Sequence, residues 1–134
     1  MIVFISCSKT KASKQSKAQN MYTSTLFKYS LQYARKLKPD IIYILSAKYG
    51  VLELSDVIQP YNKTLNTMTD KQKKIWSYKC YQQLKEKRID FDDEAIFLTG
   101  ESYHKYLKQL FKNKTFPMNG LGMGKRMQYL KNNI

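Results

Sequence analysis

The sequence predicts one three-layer α/β/α domain over residues 1–134, built on a mainly parallel sheet of about four strands. Three observations carry this. Short apolar runs of strand length recur at 2–5, 41–45 and 95–98, segments with helical apolar spacing alternate with them, and each run ends in a polar, turn-forming cluster. Strands separated by helices need crossover connections, and these cover both faces of a parallel sheet.

The elements follow in order. Ile2 to Ser6 reads as a buried first strand, and the polar, Lys-rich stretch from Cys7 to Asn20 reads as a mobile loop. Ser24 is placed to cap a helix with apolar positions Leu26, Phe27, Ser30-Leu31, Ala34 and Leu37, which Pro39-Asp40 stops. Ile41 to Leu45 is the second strand and runs into a loop, Ser46-Ala47-Lys48-Tyr49-Gly50-Val51-Leu52, followed by Gln59-Pro60-Tyr61-Asn62-Lys63-Thr64-Leu65. Asp70 or Thr69 caps a helix to about Arg88, with Ile75, Trp76, Cys80 and Leu84 facing inward. Ala95 to Leu98 is the third strand. A helix with Tyr106, Leu107, Leu110 and Phe111 follows to about Lys112, then an edge strand at 115–118, where proline is tolerated, and a last helix from Lys125 to about Asn132.

Composition narrows the function. A chain of 134 residues that is 43% hydrophobic and 13% aromatic is ample for one folded core. Its 24 Lys+Arg against 10 Asp+Glu, a formal charge of +14, point to a polyanionic partner, either a nucleotide or nucleic acid, or else to a solubilising surface. Arg occurs only at positions 35, 88 and 126, so the charge is mostly that of solvated Lys. Cys7 and Cys80 lie far apart and His104 is the only histidine, so no metal site and no cofactor are expected. The chain begins in a strand without a basic leader and has no run long enough to span a membrane, so a cytoplasmic location with reduced thiols is expected.

In a parallel sheet the strand-end clusters converge on one edge, where ligands bind. Ser6, Cys7, Ser8 and Lys9 follow the first strand, Ser46, Lys48, Tyr49 and Gly50 the second, and Gly100, Glu101 and Tyr103 the third. Cys7 beside Lys9 and Lys11 reads either as a nucleophile with a lowered pKa or as a small residue that fits after a strand. Lys48 and Tyr49 before Gly50 read as a ligand loop or as a tight turn. Pro60-Tyr61 either sets a ring over a base or sugar or folds the ring onto the core. Glu53, Asp56 and Glu101 are the carboxylates near this edge, and Glu101 or Asp56 must activate water if the protein is a hydrolase. Gly120-Leu121-Gly122-Met123-Gly124-Lys125-Arg126 reads either as an anion-binding loop, through Gly122, Gly124, Lys125 and Arg126, or as a plain turn and cap. It is not a Walker A loop, since Asn119 and Arg126 stand where that motif needs Gly and Ser/Thr.

Ser6 to Lys11, Met21-Tyr22-Thr23-Ser24-Thr25-Leu26-Phe27, Ser46 to Val51, Pro60 to Leu65, Gly100 to Tyr103 and Gly120 to Arg126 occur in that order. Together they resemble a bacterial and phage domain family of unknown function related to the YaaA peroxide-stress proteins, and more distantly the archaeosine synthase domain and the uracil-DNA glycosylase-like fold. The resemblance implies an α/β/α sandwich that handles nucleobases, nucleotides or DNA, and it adds Tyr22 and Ser24 to the ligand-binding candidates. The turn after the first strand has no Asp or Glu, where glycosylase-fold members place a water-activating carboxylate.

The expected function is therefore binding of a nucleotide, nucleobase or nucleic-acid end in a strand-end crevice, with base or N-glycosidic chemistry as its reaction class. The alternatives are a non-catalytic DNA- or RNA-binding protein with a Lys-rich surface, and a phage-type protein that binds a host protein.

Overall fold

The computed structural model describes residues 1–134. The chain runs β1 (Ile2–Ser6), β2 (Ser16–Lys17), α1 (Ala18–Met21), α2 (Thr25–Lys36), β3 (Ile41–Ser46), β4 (Gly50–Glu53), β5 (Val57–Ile58), α3 (Asp70–Glu86), β6 (Ala95–Leu98), α4 (Glu101–His104), β7 (Lys114–Thr115) and α5 (Met123–Asn133). The main sheet has five strands in the order β4-β3-β1-β6-β7, and β2 pairs with β5 in a separate ribbon. β1, β3, β6 and β7 are parallel, in the register Ile2↔Ile41, Ile2↔Ala95 and Ala95↔Lys114. No helix is long and apolar enough to cross a membrane.

Side-chain alternation along β1 builds two cores. Val3 and Ile5 pack with Phe27, Leu31 and Ala34 of α2 and Leu130 of α5 on one face. Ile2 and Phe4 pack with Trp76, Cys80 and Leu84 of α3 and with Tyr103, Leu107 and Phe111 on the other. The expected three-layer α/β/α architecture is thus the one observed. Two local signals hold the covering helices in place: Ser24 Oγ accepts from the Phe27 N–H at 3.1 Å, and Thr69 with Gln72 forms a reciprocal capping box.

Five expectations need correction. The loop after β3 is a three-residue turn, Ala47 to Tyr49, leading into an antiparallel fifth strand, β4, paired Ser46↔Gly50 through Tyr43↔Glu53. Its apolar content, Val51 and Leu52, was too short to register as a strand. The stretch from Cys7 to Asn20 is not a mobile loop: β2 pairs with β5, Ala18 and Met21 are fully buried, and the Ala18 N–H donates to Asp56 O at 2.7 Å. Ile75 is 63% exposed, because Trp76, Cys80 and Leu84 already define the inward stripe at four-residue spacing and Ile75 stands a helical step away. The helix expected to reach Lys112 stops at His104 and resumes as a 3₁₀ turn, Leu107–Leu110, although Leu107 and Phe111 are buried. The edge strand starts at Lys114 and leaves the sheet before Phe116, whose ring stacks on Phe97 at 5.3 Å instead.

Gly50 has a structural task. Its φ is +78°, and a Cβ there would stand 2.2 Å from Gln83 Oε1. That oxygen accepts from the Val51 N–H at 2.8 Å while Gln83 Nε2 donates to Tyr49 O at 3.0 Å, so α3 clamps the turn through the space a side chain would occupy. Gly50→Ala is therefore expected to destabilise the fold by about 1–3 kcal/mol in urea denaturation. Gly122→Ala should change stability by less than about 0.5 kcal/mol, since a Cβ at Gly122 meets nothing within 4 Å.

Candidate functional site

β1 lies between β3 and β6, and the chain leaves it through α2 on one face but enters β6 from α3 on the other. The connections therefore part above the carboxyl ends of β1 and β6, which is where open α/β sheets form a crevice. A cleft of about 1370 Å³ opens there. The two strand ends are tied together by the Gly100 N–H, which donates to Ser6 Oγ at 3.2 Å.

Of the residues singled out from the sequence, Ser6, Cys7, Ser8, Lys9, Ser24, Gly100, Glu101, Tyr103 and Arg126 line the cleft. The first-strand and third-strand clusters thus meet. The second does not: Ser46, Lys48, Tyr49 and Gly50 lie outside it, as do Tyr22, Pro60, Tyr61, Gly122, Gly124 and Lys125. The reason is the hairpin, which turns the chain back along β3 on the far side of β1 from β6. Lys48 instead lies over the Tyr49 ring at 5.2 Å, and Ser46 Oγ caps the turn by accepting from the N–H groups of Lys48 and Tyr49 at 3.2 and 3.0 Å. The glycine-rich segment contributes only Met123 and Arg126 to the lining.

The partly buried Tyr61 ring packs against both cores. Its hydroxyl joins Tyr22 at 2.7 Å and Ser46 at 2.8 Å, a chain of hydroxyls behind the cleft. Burial pushes the Tyr22 phenol up to about 12 and raises Tyr61 further, with Cys7 and Tyr22 adding to the latter. Lys11 lies over the Tyr61 ring at 4.4 Å and donates to Lys9 O at 3.2 Å, and burial lowers its pKa against the pull of Cys7.

Cys7 Sγ is 3.3 Å from Tyr103 Oη, and burial raises that phenol, as does Cys7, so the phenol stays protonated at neutral pH. The histidine that would complete a Cys-His pair is engaged elsewhere: His104 Nδ1 is 2.8 Å from Thr99 Oγ1, and its ring lies 4.6 Å from that of Phe116. Glu101 is the one carboxylate on the cleft wall. Asp56 is spent on the turn, accepting from the Glu53 N–H at 2.8 Å, and Glu53 pairs with Lys87 at 3.2 Å.

Cations outnumber that carboxylate. Lys9, Lys11, Lys63 and Arg126 all line the cleft. Arg126 is positioned by Nε, which donates to Leu121 O at 2.9 Å, and its Nη1 lies 3.8 Å from where a Cβ on Gly100 would stand. Lys63, Thr64 and Asn62 were within the Pro60 to Leu65 motif but were not named as ligand contacts. Ser30 was missed although a hydroxyl on an apolar helix face was the available signal.

His104 carries a pH consequence. Burial, with Lys108 next in size, lowers its imidazole from 6.5 to about 4. Between these values the unfolded chain binds a proton that the folded protein refuses, so this group's contribution to stability is complete above about 6.5 and is lost as the pH falls to about 4. The urea midpoint of the wild type should therefore fall more steeply across that window than that of His104→Gln. Parallel slopes would show that His104 does not titrate with folding.

No curated protein matches the chain at a significant level. Residues 2–132 match a family of unknown function, DUF6884. That span takes in both cores and the full lining of the cleft, so the chain belongs to the DUF6884 family.

Proposed function

We propose that the protein binds a phosphorylated nucleoside, free or at the end of a nucleic acid, in the cleft above β1 and β6. The observation that carries this reading is the charge of the lining, with Lys9, Lys11, Lys63 and Arg126 set against Glu101 alone. A concave site lined by one sign of charge concentrates the field and attracts anions. Around these cations stand the hydroxyls of Ser6, Thr10, Ser24 and Thr64, donors of the kind that phosphate and sugar oxygens accept, while those of Ser8 and Thr67 donate to Thr10 O and Thr64 O. A volume near 1370 Å³ exceeds that of a pocket for a small drug-sized ligand, about 300–1,000 Å³, and leaves room for a nucleotide with a flanking group. The resemblance of the ordered motifs to the YaaA proteins and the uracil-DNA glycosylase-like fold supports the same ligand class.

Base or N-glycosidic chemistry here would run through Glu101 as the group that accepts a proton from water, or through Cys7 as nucleophile. Tyr103 and the thiol share a hydrogen bond in which either group can donate, and a phenol that stays protonated cannot serve as the thiol's base. Cys7→Ser is accordingly expected to preserve ligand affinity.

A second reading, retention of DNA or RNA by the Lys-rich surface, is favoured by the net charge of +14. Calorimetric titration with nucleoside monophosphates separates the two. Lys9→Ala and Arg126→Ala should each weaken binding about tenfold or more, and Lys48→Ala, outside the cleft, should leave it unchanged. Equal losses at Lys9, Lys48 and the distant Lys85, with a steep salt dependence, would favour the surface over the cleft.

A further inference from the structure

The cleft has two unlike halves. On one side stand Lys63 and the hydroxyl-bearing residues of 62–67; on the other is an apolar slot between the first turns of α2 and α5. Both helices start at the cleft and run away from it side by side, held together farther along by Tyr33 and Tyr129, whose hydroxyls are 3.2 Å apart, and by Lys36 Nζ donating to Asn133 O at 3.0 Å. Residues four apart share a helix face, so Leu26 and Ser30 of α2 form one wall and Met123 and Met127 of α5 the other. Leu98 and Met118, 3% and 5% exposed, close the floor.

Ser30 is the exception in this slot. It is only 4% exposed and stands on the buried face of α2 with Phe27, Leu31 and Ala34, yet its hydroxyl has no hydrogen-bond partner in the protein. Ser77 Oγ is the one fully sealed hydroxyl without a partner, whereas Ser30 borders the cleft, where a ligand can reach it. Buried polar groups are ordinarily satisfied, so a hydroxyl held open at the end of an apolar slot is suited to a ligand that brings both flat apolar surface and a polar edge. Thioethers favour contact with aromatic rings, and one wall and part of the floor are Met.

We infer that this slot is the nucleobase subsite: the ring lies between Leu26 and the Met123–Met127 face, Ser30 Oγ hydrogen-bonds an edge atom of the base, and the phosphate points to the Lys63 half. This rests on the nucleotide reading above and extends it. An aliphatic group would fill the slot but leave the Ser30 hydroxyl unpaired, and a bare phosphate would leave the apolar walls of Leu26, Met123 and Met127 uncovered.

The test is calorimetric titration of the whole chain with adenosine monophosphate, uridine monophosphate and ribose phosphate. At least one nucleotide should bind about tenfold or more tightly than ribose phosphate. Ser30→Ala, which suits a helix, and Met123→Ala/Met127→Ala, where Met123 is 64% exposed, should each weaken that nucleotide about three- to tenfold and leave ribose phosphate unchanged. Unchanged melting temperatures of the variants serve as the folding control. If ribose phosphate binds as tightly as the nucleotides and the variants bind all three normally, the base subsite is refuted while the anion site stands. If none of the three binds, the nucleotide reading falls and the subsite falls with it.

Discussion

Everything at the candidate site depends on β1 lying in the middle of the sheet, with β3 on one side and β6 on the other. β1 is apolar and buried on both faces, so it needs helices above and below. The chain satisfies this by covering one face with α2 and α5 and the other with α3 and α4. The cost of that arrangement is a gap where the connections from β1 and β6 diverge, and the Ser6–Gly100 hydrogen bond holds its two lips in register. The cleft is thus a product of topology, and its contents follow from whichever residues happen to stand at those strand ends and helix starts.

Behind the cleft, polar groups are used twice. Ser46 accepts two turn N–H groups, shares a hydrogen bond with Tyr61, and offers its carbonyl to Trp76 Nε1 at 2.9 Å. This joins the β3–β4 hairpin to α3 on one side and to the Tyr22–Tyr61 pair on the other. Because burial keeps both phenols protonated, the chain of hydroxyls supplies hydrogen bonds without placing a negative charge near Lys11. The cationic character of the cleft is preserved in consequence. The same scarcity of anions limits its chemistry, since Glu101 is the single carboxylate present to accept a proton.

Much of this was legible in the chain. The parallel strands were readable because continuous apolar runs bounded by turn residues have few other uses in a chain of this length. α2 and α3 were readable from their caps and apolar stripes, and the meeting of Cys7 and Ser8 with Glu101 and Tyr103 followed from strand direction alone. β2, β4 and β5 were not readable. β2 and β5 have two residues each and gain their stability from partners distant in the chain, as in Ser16 with Ile58, and the four residues of β4 are held by folding back onto β3.

Sequence by itself determined the layer architecture, the positive charge and which polar clusters sit at strand ends, because these are set by local pattern and composition. Tertiary structure decided which clusters share a site. Lys48, Tyr49 and Gly50 look like ligand residues in one dimension, but reversal of the chain into β4 and the Gln83 clamp turn them to structural use. Ser30, Met123 and Met127 look like ordinary helix positions, and only the side-by-side packing of α2 and α5 brings them to one cleft. The difference is one of range: periodicity reports which face of an element is apolar, whereas the identity of the neighbour it meets is fixed by contacts between residues up to about a hundred positions apart, as in Tyr33 with Tyr129.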